Sequence, residues 1–204
     1  MATMANERTE SPRVRLFVAL DPPEAVRSAL GAWSAEALSD PALRPVPAEN
    51  LHVTLAFLGS RPAREVEPIA EAVRESAGPA PLVELLDPVA RPPRGRARLF
   101  ALPALSPGTE MLQATLAERL LAAGLYEPEK RPFWPHLTIA RVRGEGRGSR
   151  RPMAVRNSPK ELPRALEEAF YGVRMTLYRS VLQPSGARYV PLAQYELPGG
   201  AAVR

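Results

Sequence analysis

The sequence predicts a single domain made of two similar lobes, each of which combines β-strands with an amphipathic helix. The tripeptide Arg-Leu-Phe begins at Arg15 and returns at Arg98, and the pattern His-x-Thr at His52 returns at His136 with almost the same spacing. Both units follow the order strand, helix, proline-rich connector, His-x-Thr strand. A repeated order of this kind indicates internal duplication, with a pseudo-twofold axis that sets the two His-x-Thr strands across a central cleft.

Length and composition narrow the class of protein. A chain of 204 residues can bury a sizeable core, and it lacks the run of about eighteen apolar residues that a membrane span needs. The absence of cysteine excludes disulfides and thiolate metal sites and favours a cytoplasmic location. We expect residues 1–12 to be a disordered arm, 13–198 the domain, with units starting near 15 and 98, and 199–204 a frayed tail.

The charge balance is basic, with 27 Lys and Arg against 22 Asp and Glu, a net charge of +5 and a pI near 10.1. Such a surface favours polyanions, above all nucleic acid. A compositional bias towards arginine is the alternative explanation, because only Lys130 and Lys160 are lysines. Two local clusters, 91–98 and 143–151, are rich in arginine together with proline or glycine and are predicted to be loops, the second of them mobile.

In the first unit, residues 15–20 are predicted to be a strand. The run that starts at Asp21 and ends at Glu24 indicates a helix start, with Asp21 as the N-cap in a capping box. The helix is expected to continue to about Leu38 on an apolar face formed by Val26, Leu30, Trp33 and Ala37. A connector at 40–50 then leads to the strand of His52.

The remaining elements follow from the same signals. A second helix is predicted at about 62–77 and a strand at 82–89. The second unit is predicted to contain a strand at 98–102, a helix at 107–123 and a connector at 124–135. The tail is predicted to contain a helix start at Ser158 and two closing strands, 173–182 and 188–197, joined by a turn at 184–186.

The two His-x-Thr strands are the candidate functional elements. Side chains in a strand alternate between its faces, so His52 and Thr54 share one face, and His136 and Thr138 do the same. The chain has only two histidines, and both stand in this pattern. Each strand is therefore expected to bury its other face and to present an imidazole and a hydroxyl to the cleft.

Two histidines and two threonines suit displacement at phosphorus. One imidazole can accept a proton while the other donates one, and threonine hydroxyls can donate hydrogen bonds to phosphoryl oxygens. Two histidines alone make a poor zinc site. A hydrolase triad is a weak alternative, since neither motif contains an acylation nucleophile. Histidines with a purely structural role would leave the repeated spacing unexplained.

The two His-x-Thr segments and the residues around them resemble those of a known family. The segments Leu51–Gly59 and Arg131–Arg141 resemble the two signature motifs of the two-histidine phosphoesterases, in particular the bacterial RNA 2′,3′-cyclic phosphodiesterases, also called 2′–5′ RNA ligase-like proteins. The similarity extends to Arg15–Leu20, to the lead-in at Arg44–Asn50 and to the closing segment from Ser180 to Tyr189. It therefore covers nearly the whole chain.

The resemblance implies a fold, a reaction and a set of roles. The fold would be α+β and bilobal, with two antiparallel sheets flanking a central cleft and helices packed on the outside. The reaction would be metal-independent opening of an RNA 2′,3′-cyclic phosphate to a 2′-phosphate, with no cofactor. By this analogy His52 is the proton donor, His136 is the proton acceptor, and the phosphate is bound by Thr54, Thr138 and Arg141.

Some positions are less clear from the sequence. Arg141 and Phe57 both stand five residues after a histidine, an odd offset that on an ideal strand points away from it. Either a bulge or the strand end redirects Arg141 towards the cleft, or the role of Arg141 is structural. Phe57 is expected to be a core residue, with stacking on a base as the alternative. The loop residues that could contact RNA phosphates are Arg91, Arg94 and Arg96.

Three functions stay open. The first is the cyclic phosphodiesterase, acting on RNA or an oligonucleotide with a 2′,3′-cyclic end. The second is a 2′–5′ RNA ligase or 2′–5′ oligonucleotide phosphodiesterase that uses the same site. The third is a non-catalytic module that binds RNA or nucleotides, for which the basic loops are the argument. Neither a membrane nor an obligate protein partner is expected.

Overall fold

The computed structural model describes residues 12–146, 148–183 and 186–200. The described chain contains four α-helices, which are α1 (Glu24–Ala37), α2 (Val66–Ser76), α3 (Pro107–Ala122) and α4 (Arg164–Glu167). It contains ten strands, which are β1 (Arg13–Asp21), β2 (Leu43–Pro45), β3 (Val53–Pro62), β4 (Leu82–Leu85), β5 (Val89–Arg91), β6 (Leu99–Leu105), β7 (His136–Val142), β8 (Phe170–Tyr171), β9 (Arg174–Gln183) and β10 (Gly186–Glu196). The predicted N-terminal arm up to residue 11, the turn at 184–185 and the tail from 201 lie outside the described residues.

The strands form a large antiparallel sheet, so the α+β prediction is confirmed. The order is β10-β9-β1-β3-β7-β6-β4-β8, with β2 added to β7 and β5 added to β6. The two halves meet at the centre, where β3 and β7 are joined by the register pair Val53–Leu137. The expected division into two separate sheets is not confirmed, because this pairing makes one hydrogen-bonded path from β10 to β8.

The helices bury the apolar faces that the sequence indicates. The fully buried residues include Leu30 in α1, Ile69 and Val73 in α2, and Leu116 and Leu120 in α3. These side chains belong to one core together with the residues of β3 and β7 that point to the same side, which are Val53, Leu55, Leu137 and Ile139. Because strand side chains alternate, the neighbouring histidines and threonines are left to the opposite face. No helix in the described ranges has the length and apolar character of a membrane span.

Helix α1 does not begin with the predicted capping box. It starts at Glu24, after Pro23, while Asp21 ends β1 and is completely buried. The Asp21 carboxylate accepts hydrogen bonds from three side chains of β9, namely Thr176 at 2.8 Å, Arg174 at 2.9 Å and Tyr178 at 3.0 Å. Three side-chain donors, one of them charged, hold the carboxylate in the sheet instead of at the helix terminus.

The predicted helix start at Ser158 is also wrong. The chain stays irregular until α4, which begins at Arg164 and lasts one turn. The backbone amides of Arg156 and Asn157 donate to the buried carboxylate of Asp40, at 2.7 and 2.8 Å. Pro159 and Pro163 each disfavour a helical conformation in the residue before them, so the segment stays irregular. Its hydrogen bonds to Asp40 fix its position.

One further prediction needs correction. The predicted strand 82–89 is divided into β4 and β5, with Pro88 between them, and both pieces pair with β6. The basic loop at 143–151 is held by backbone hydrogen bonds: Gly144 pairs with Pro152, and the amide of Glu145 donates to the carbonyl of Arg151 at 2.9 Å. In contrast, α3 begins as predicted, at Pro107 after the N-cap Ser106, whose hydroxyl accepts from the amide of Thr109.

Candidate active site

The Val53–Leu137 pair brings the two His-x-Thr segments side by side. His52 directly precedes β3 and His136 is the first residue of β7, so both imidazoles lie at the junction of the two halves. His52, Thr54, His136 and Thr138 all line one cavity of about 720 Å³. The structure therefore brings together the four residues that alternation along the strands had selected.

A β-bulge occurs at the same place in both strands. In β3, Thr54 pairs with Ala19 and Ala56 with Val18, which leaves Leu55 without a partner on β1. In β7, Thr138 pairs with Ala101 and Ala140 with Phe100, which leaves Ile139 without a partner on β6. Each extra residue stands three positions after its histidine. A bulge of this kind inverts the alternation of side chains beyond it.

The bulges explain the two odd offsets. At each bulge two consecutive residues are buried, Leu55 with Ala56 and Ile139 with Ala140, and the next residue returns to the histidine face. Arg141 consequently lines the cavity, and a bulge redirects it, as one of the expected explanations proposed. Phe57 lines it too and is 58% exposed, so the expectation that Phe57 is a core residue was wrong.

The His52 ring has a defined tautomer. Its Nδ1 lies 2.8 Å from the carbonyl oxygen of Asn50, which can only accept, so Nδ1 carries the proton. Its Nε2 lies 3.1 Å from the Thr54 hydroxyl and is the basic atom of the neutral ring. The ring is packed against Phe17, with centroids 5.0 Å apart, and against the edge of Tyr189, at 5.4 Å.

This enclosure controls the charge of His52. Burial lowers the pKa of His52 to about 4, partly opposed by the Asn50 carbonyl and the Asp21 carboxylate, while His136 and Arg141 lower the pKa further. The imidazole is therefore neutral at neutral pH in the free protein, since desolvation penalises the charged form.

His136 has the same tautomer in a different setting. Its Nδ1 donates to the carbonyl oxygen of Trp134 at 2.8 Å, and the Trp134 ring stacks on the imidazole with centroids 4.1 Å apart and planes inclined by 15°. The guanidinium of Arg91 lies over the Trp134 ring as well, 3.7 Å from its centroid. Burial lowers the pKa of His136; the Trp134 carbonyl opposes this, and the charges of Arg91 and Arg141 add to it.

The predicted loop arginines do not act as one group. None of Arg91, Arg94 and Arg96 is among the described residues that line the main cavity. Arg91 contacts the Trp134 ring, which also stacks on His136. Arg96 forms a salt bridge with Glu145 and donates to the carbonyl of Pro152 at 3.0 Å, so it fixes the 143–151 loop. Arg94 is exposed between them.

Sequence reasoning missed several cavity residues. Arg15 from β1, Arg44 from β2 and Tyr189 from β10 all line the cavity. Arg15 and Tyr189 lie far from both His-x-Thr segments in the sequence. Arg44 is close to His52 in the sequence but lies on a strand that pairs with β7. The family resemblance covered all three segments, and that was the available signal. Nothing in the local pattern marked these side chains as functional.

A second chamber of about 430 Å³ adjoins the main cavity. Thr54, Phe57, Glu129 and His136 belong to both. The walls of the chamber are largely aromatic, with Tyr126, Phe133 and Trp134. The main cavity is thus contiguous with a chamber in which aromatic rings predominate, beside the charged residues Glu129 and Arg131.

The fold and this site define the class of protein. Residues 22–170 match the family model of the 2′-5′ RNA ligase superfamily, and the chain belongs to that family.

Similar proteins are known individually. The chain is 33% identical over 193 residues to the RNA 2′,3′-cyclic phosphodiesterase of Thermus thermophilus, covering 91% of each sequence. It is 29% identical over 183 residues to the RNA 2′,3′-cyclic phosphodiesterase of Escherichia coli, covering 90% of this chain and 96% of the relative. Its fold matches the crystal structure of E. coli LigT complexed with 3′-AMP, with a TM-score of 0.73 at 27% identity over 92% of this chain and 99% of the other.

Proposed function

We propose that this protein is an RNA 2′,3′-cyclic phosphodiesterase that opens the cyclic phosphate to a 2′-phosphomonoester without a metal ion. The observation that carries the proposal is the pairing of two imidazoles in one cavity, each with Nδ1 bound to a backbone carbonyl and Nε2 left as the basic atom. Two such rings can serve as base and acid for one displacement. The relatives named above supply the substrate class.

In this mechanism His136 activates water and His52 protonates the leaving group. The water oxygen forms a bond to phosphorus as the P–O3′ bond breaks, the proton of water passes to Nε2 of His136, and Nε2–H of His52 gives its proton to O3′. One water molecule is consumed and a 2′-phosphate remains. Thr54, Thr138 and Arg141 donate hydrogen bonds to the phosphoryl oxygens, where negative charge increases in the transition state.

The neutral state of His52 in the free protein has a consequence for this assignment. A proton donor must be charged before it acts, and an anion close to an imidazole raises its pKa. We infer that the cyclic phosphate itself raises the pKa of His52, so that proton uptake accompanies substrate binding. The Thr54 hydroxyl, which hydrogen-bonds Nε2 of His52 in the free protein, then turns to a phosphoryl oxygen.

Ligation is a second candidate, favoured by the match to the 2′-5′ RNA ligase superfamily. The 5′-hydroxyl of another RNA would replace water as the nucleophile, and the same bond to O3′ would break. The acid and the base keep their roles, so the product is a 2′–5′ phosphodiester. A purely binding module would have no use for two imidazoles with matched tautomers.

The decisive experiment incubates the protein with 2′,3′-cyclic AMP in the presence of EDTA and separates 2′-AMP from 3′-AMP. We expect 2′-AMP, at a rate that chelation leaves unchanged. Turnover that stops in EDTA and returns with zinc or magnesium would contradict the mechanism. Adding a 5′-hydroxyl oligonucleotide to a reaction with a cyclic-phosphate oligonucleotide tests ligation in parallel.

We further infer that residues 13–198 form one domain with an internal repeat whose units start near 15 and 98. The matched bulges support this inference, because both occur three residues after the histidine and both sit where the His strand pairs with the first strand of its unit. The identical burial of the six residues from His52 and from His136 supports it as well. The two histidines would then be equivalent positions that acquired opposite roles.

A further inference from the structure

The pair Arg44 and Arg141 lies at one end of the cleft. Strands β2 and β7 are antiparallel neighbours, and in their register Arg44 is directly opposite Arg141. Like charges in directly opposed positions of a sheet destabilise it. In the described part of the chain, neither guanidinium forms a salt bridge with a carboxylate.

Both arginines border a distinct pocket of about 110 Å³ that opens into the main cavity. Its walls include Asn50, Tyr189 and Gly186. At Gly186 the backbone has a φ of 137°, and a Cβ built there would lie 3.8 Å from Nη1 of Arg44. The Arg44 guanidinium thus lies next to the start of β10, and both line this pocket. A pocket of this size suits a group such as a phosphate and is too small for a nucleoside.

The two arginines differ in their relation to the histidines. The positive charge of Arg141 lowers the pKa of both His52 and His136, whereas Arg44 is not among the charges that act on either ring. Arg141 is therefore the member of the pair that is electrostatically coupled to the histidines. Neither histidine lines the small pocket, so a phosphate bound there would be separate from the reacting phosphate.

We propose that Arg44, together with Arg141, forms a subsite for a second phosphate of the substrate, the one on the 5′ side of the terminal nucleoside. This rests on the proposed function. An RNA that ends in a 2′,3′-cyclic phosphate has no nucleotide beyond that end, so the neighbouring phosphate is the 5′ one. Two guanidiniums that face each other without a counterion are suited to share a phosphate group between them.

The subsite also gives the cleft a direction. Within the described residues, the pocket of the arginine pair and the aromatic chamber share no lining residue, and each shares lining residues with the main cavity that contains the histidines. An RNA end that places its 5′ phosphate on Arg44 and its cyclic phosphate at the histidines turns its terminal base towards Phe57. The enzyme would accordingly discriminate an oligonucleotide end from a free cyclic mononucleotide by one extra phosphate.

The test compares two product-like ligands by titration calorimetry, 2′-AMP and adenosine 2′,5′-bisphosphate. We expect the wild-type protein to bind the bisphosphate at least tenfold more tightly, with a difference that shrinks as salt is raised. Arg44→Gln should remove most of this preference and Arg44→Lys should keep much of it. Arg150→Gln, which neutralises an exposed arginine outside the cleft, is the matched control and should keep the full preference.

Two results would overturn the subsite: equal affinity of the wild-type protein for the two ligands, or a full preference in Arg44→Gln whose thermal unfolding matches the wild type. If Arg44→Gln does not fold, two other results test the subsite. Arg44→Lys should keep much of the preference for the bisphosphate, and the preference of the wild-type protein should shrink as salt is raised. Turnover of 2′,3′-cyclic AMP is measured separately, because it tests the proposed function. If the protein hydrolyses 2′,3′-cyclic AMP but binds the two ligands equally, only the subsite proposal is contradicted. If it prefers the bisphosphate but does not hydrolyse 2′,3′-cyclic AMP, only the proposed reaction is contradicted.

Discussion

The hydroxyl of Thr54 lies 3.1 Å from Nε2 of His52, the atom that donates the proton in the proposed mechanism. This bond stabilises the neutral ring and must be exchanged when the ring becomes charged. Replacing Thr54 by Val keeps the shape and removes the donor. We expect kcat/KM for 2′,3′-cyclic AMP to fall about 10–100-fold, the cost of a lost hydrogen bond to a charged group.

Thr54→Ser, which keeps the hydroxyl, is the matched control and should stay near the wild-type rate. The same pair of substitutions at Thr138 should give a similar loss, because that side chain occupies the same position in β7. If the valine and serine variants at position 54 had equal rates, the hydroxyl would have no part in the reaction.

Removing the imidazoles tests whether they work as a unit. His52→Ala and His136→Ala should each lower kcat by roughly 10²–10⁴-fold, the usual contribution of a general acid or base. The double variant should lose far less than the product of the two factors, because neither group acts without the other. Rates close to the wild type in folded single variants would favour the binding module instead.

The pH dependence of the reaction follows from the two lowered pKa values. The profile of kcat/KM reports the free enzyme, in which burial holds the pKa of both histidines below 6.5. The bell-shaped profile should therefore have its maximum on the acidic side of pH 6.5. The profile of kcat should be displaced to higher pH, because the bound phosphate raises the pKa of the proton donor.

A kcat/KM maximum above pH 7 would contradict this account. Arg141→Gln provides a further comparison, since the charge of Arg141 lowers the pKa of both rings. Its removal should displace the kcat/KM profile towards higher pH, in addition to any loss of rate.

Stability should depend on pH through His52. Its pKa is about 4 in the folded state against an ordinary value of 6.5, so between these values the unfolded chain binds a proton that the folded protein excludes. The free energy of unfolding should consequently fall as the pH decreases from 6.5 towards 4, by an amount on the order of 2 kcal/mol from this residue.

Urea denaturation at pH 7 and pH 4.5 measures this effect. The control is His52→Gln, which cannot titrate and should lose correspondingly less stability over the same interval. The lowered pKa of Asp40 acts only below about pH 4, so it does not contribute in this window. Equal losses in the two proteins would show that His52 titrates normally in the folded state.

Trp134 contacts both Arg91 and His136, and NMR can test whether Arg91 affects the titration of His136. Arg91→Gln removes a positive charge that lowers the pKa of His136, so the imidazole should titrate at a higher pH than in the wild type. Arg94→Gln neutralises an exposed arginine of the same loop and should leave the titration of His136 in place. A His136 titration that is unchanged in Arg91→Gln would mean that the contact through Trp134 has no electrostatic effect.

Local pattern was enough to predict the centre of the site. Alternation along a strand placed His52 with Thr54 and His136 with Thr138, and all four line the cavity. The amphipathic faces of the helices were also readable, because an apolar stripe must be buried wherever the helix packs. These features depend on residues within a few positions of each other.

The features that failed depend on contacts between distant segments. Phe57 could not be placed because a bulge is a property of strand pairing, and the residues around Leu55 give no sign of it. Asp21 fits a helix N-cap in the sequence, but the donors on β9 are more than 150 positions away. Arg44 becomes a cavity residue only through the pairing of β2 with β7.

The two bulges also determine which side chain each strand presents to the cavity. Both backbones deliver the fifth residue after the histidine to the same face, and both have alanine just before it, at Ala56 and Ala140, where two successive side chains share the core. In β3 this position is occupied by the aromatic ring of Phe57, and in β7 by the guanidinium of Arg141. Two strands with the same local backbone thus present different side chains to the cavity, so a bound substrate meets an aromatic ring from one strand and a positive charge from the other.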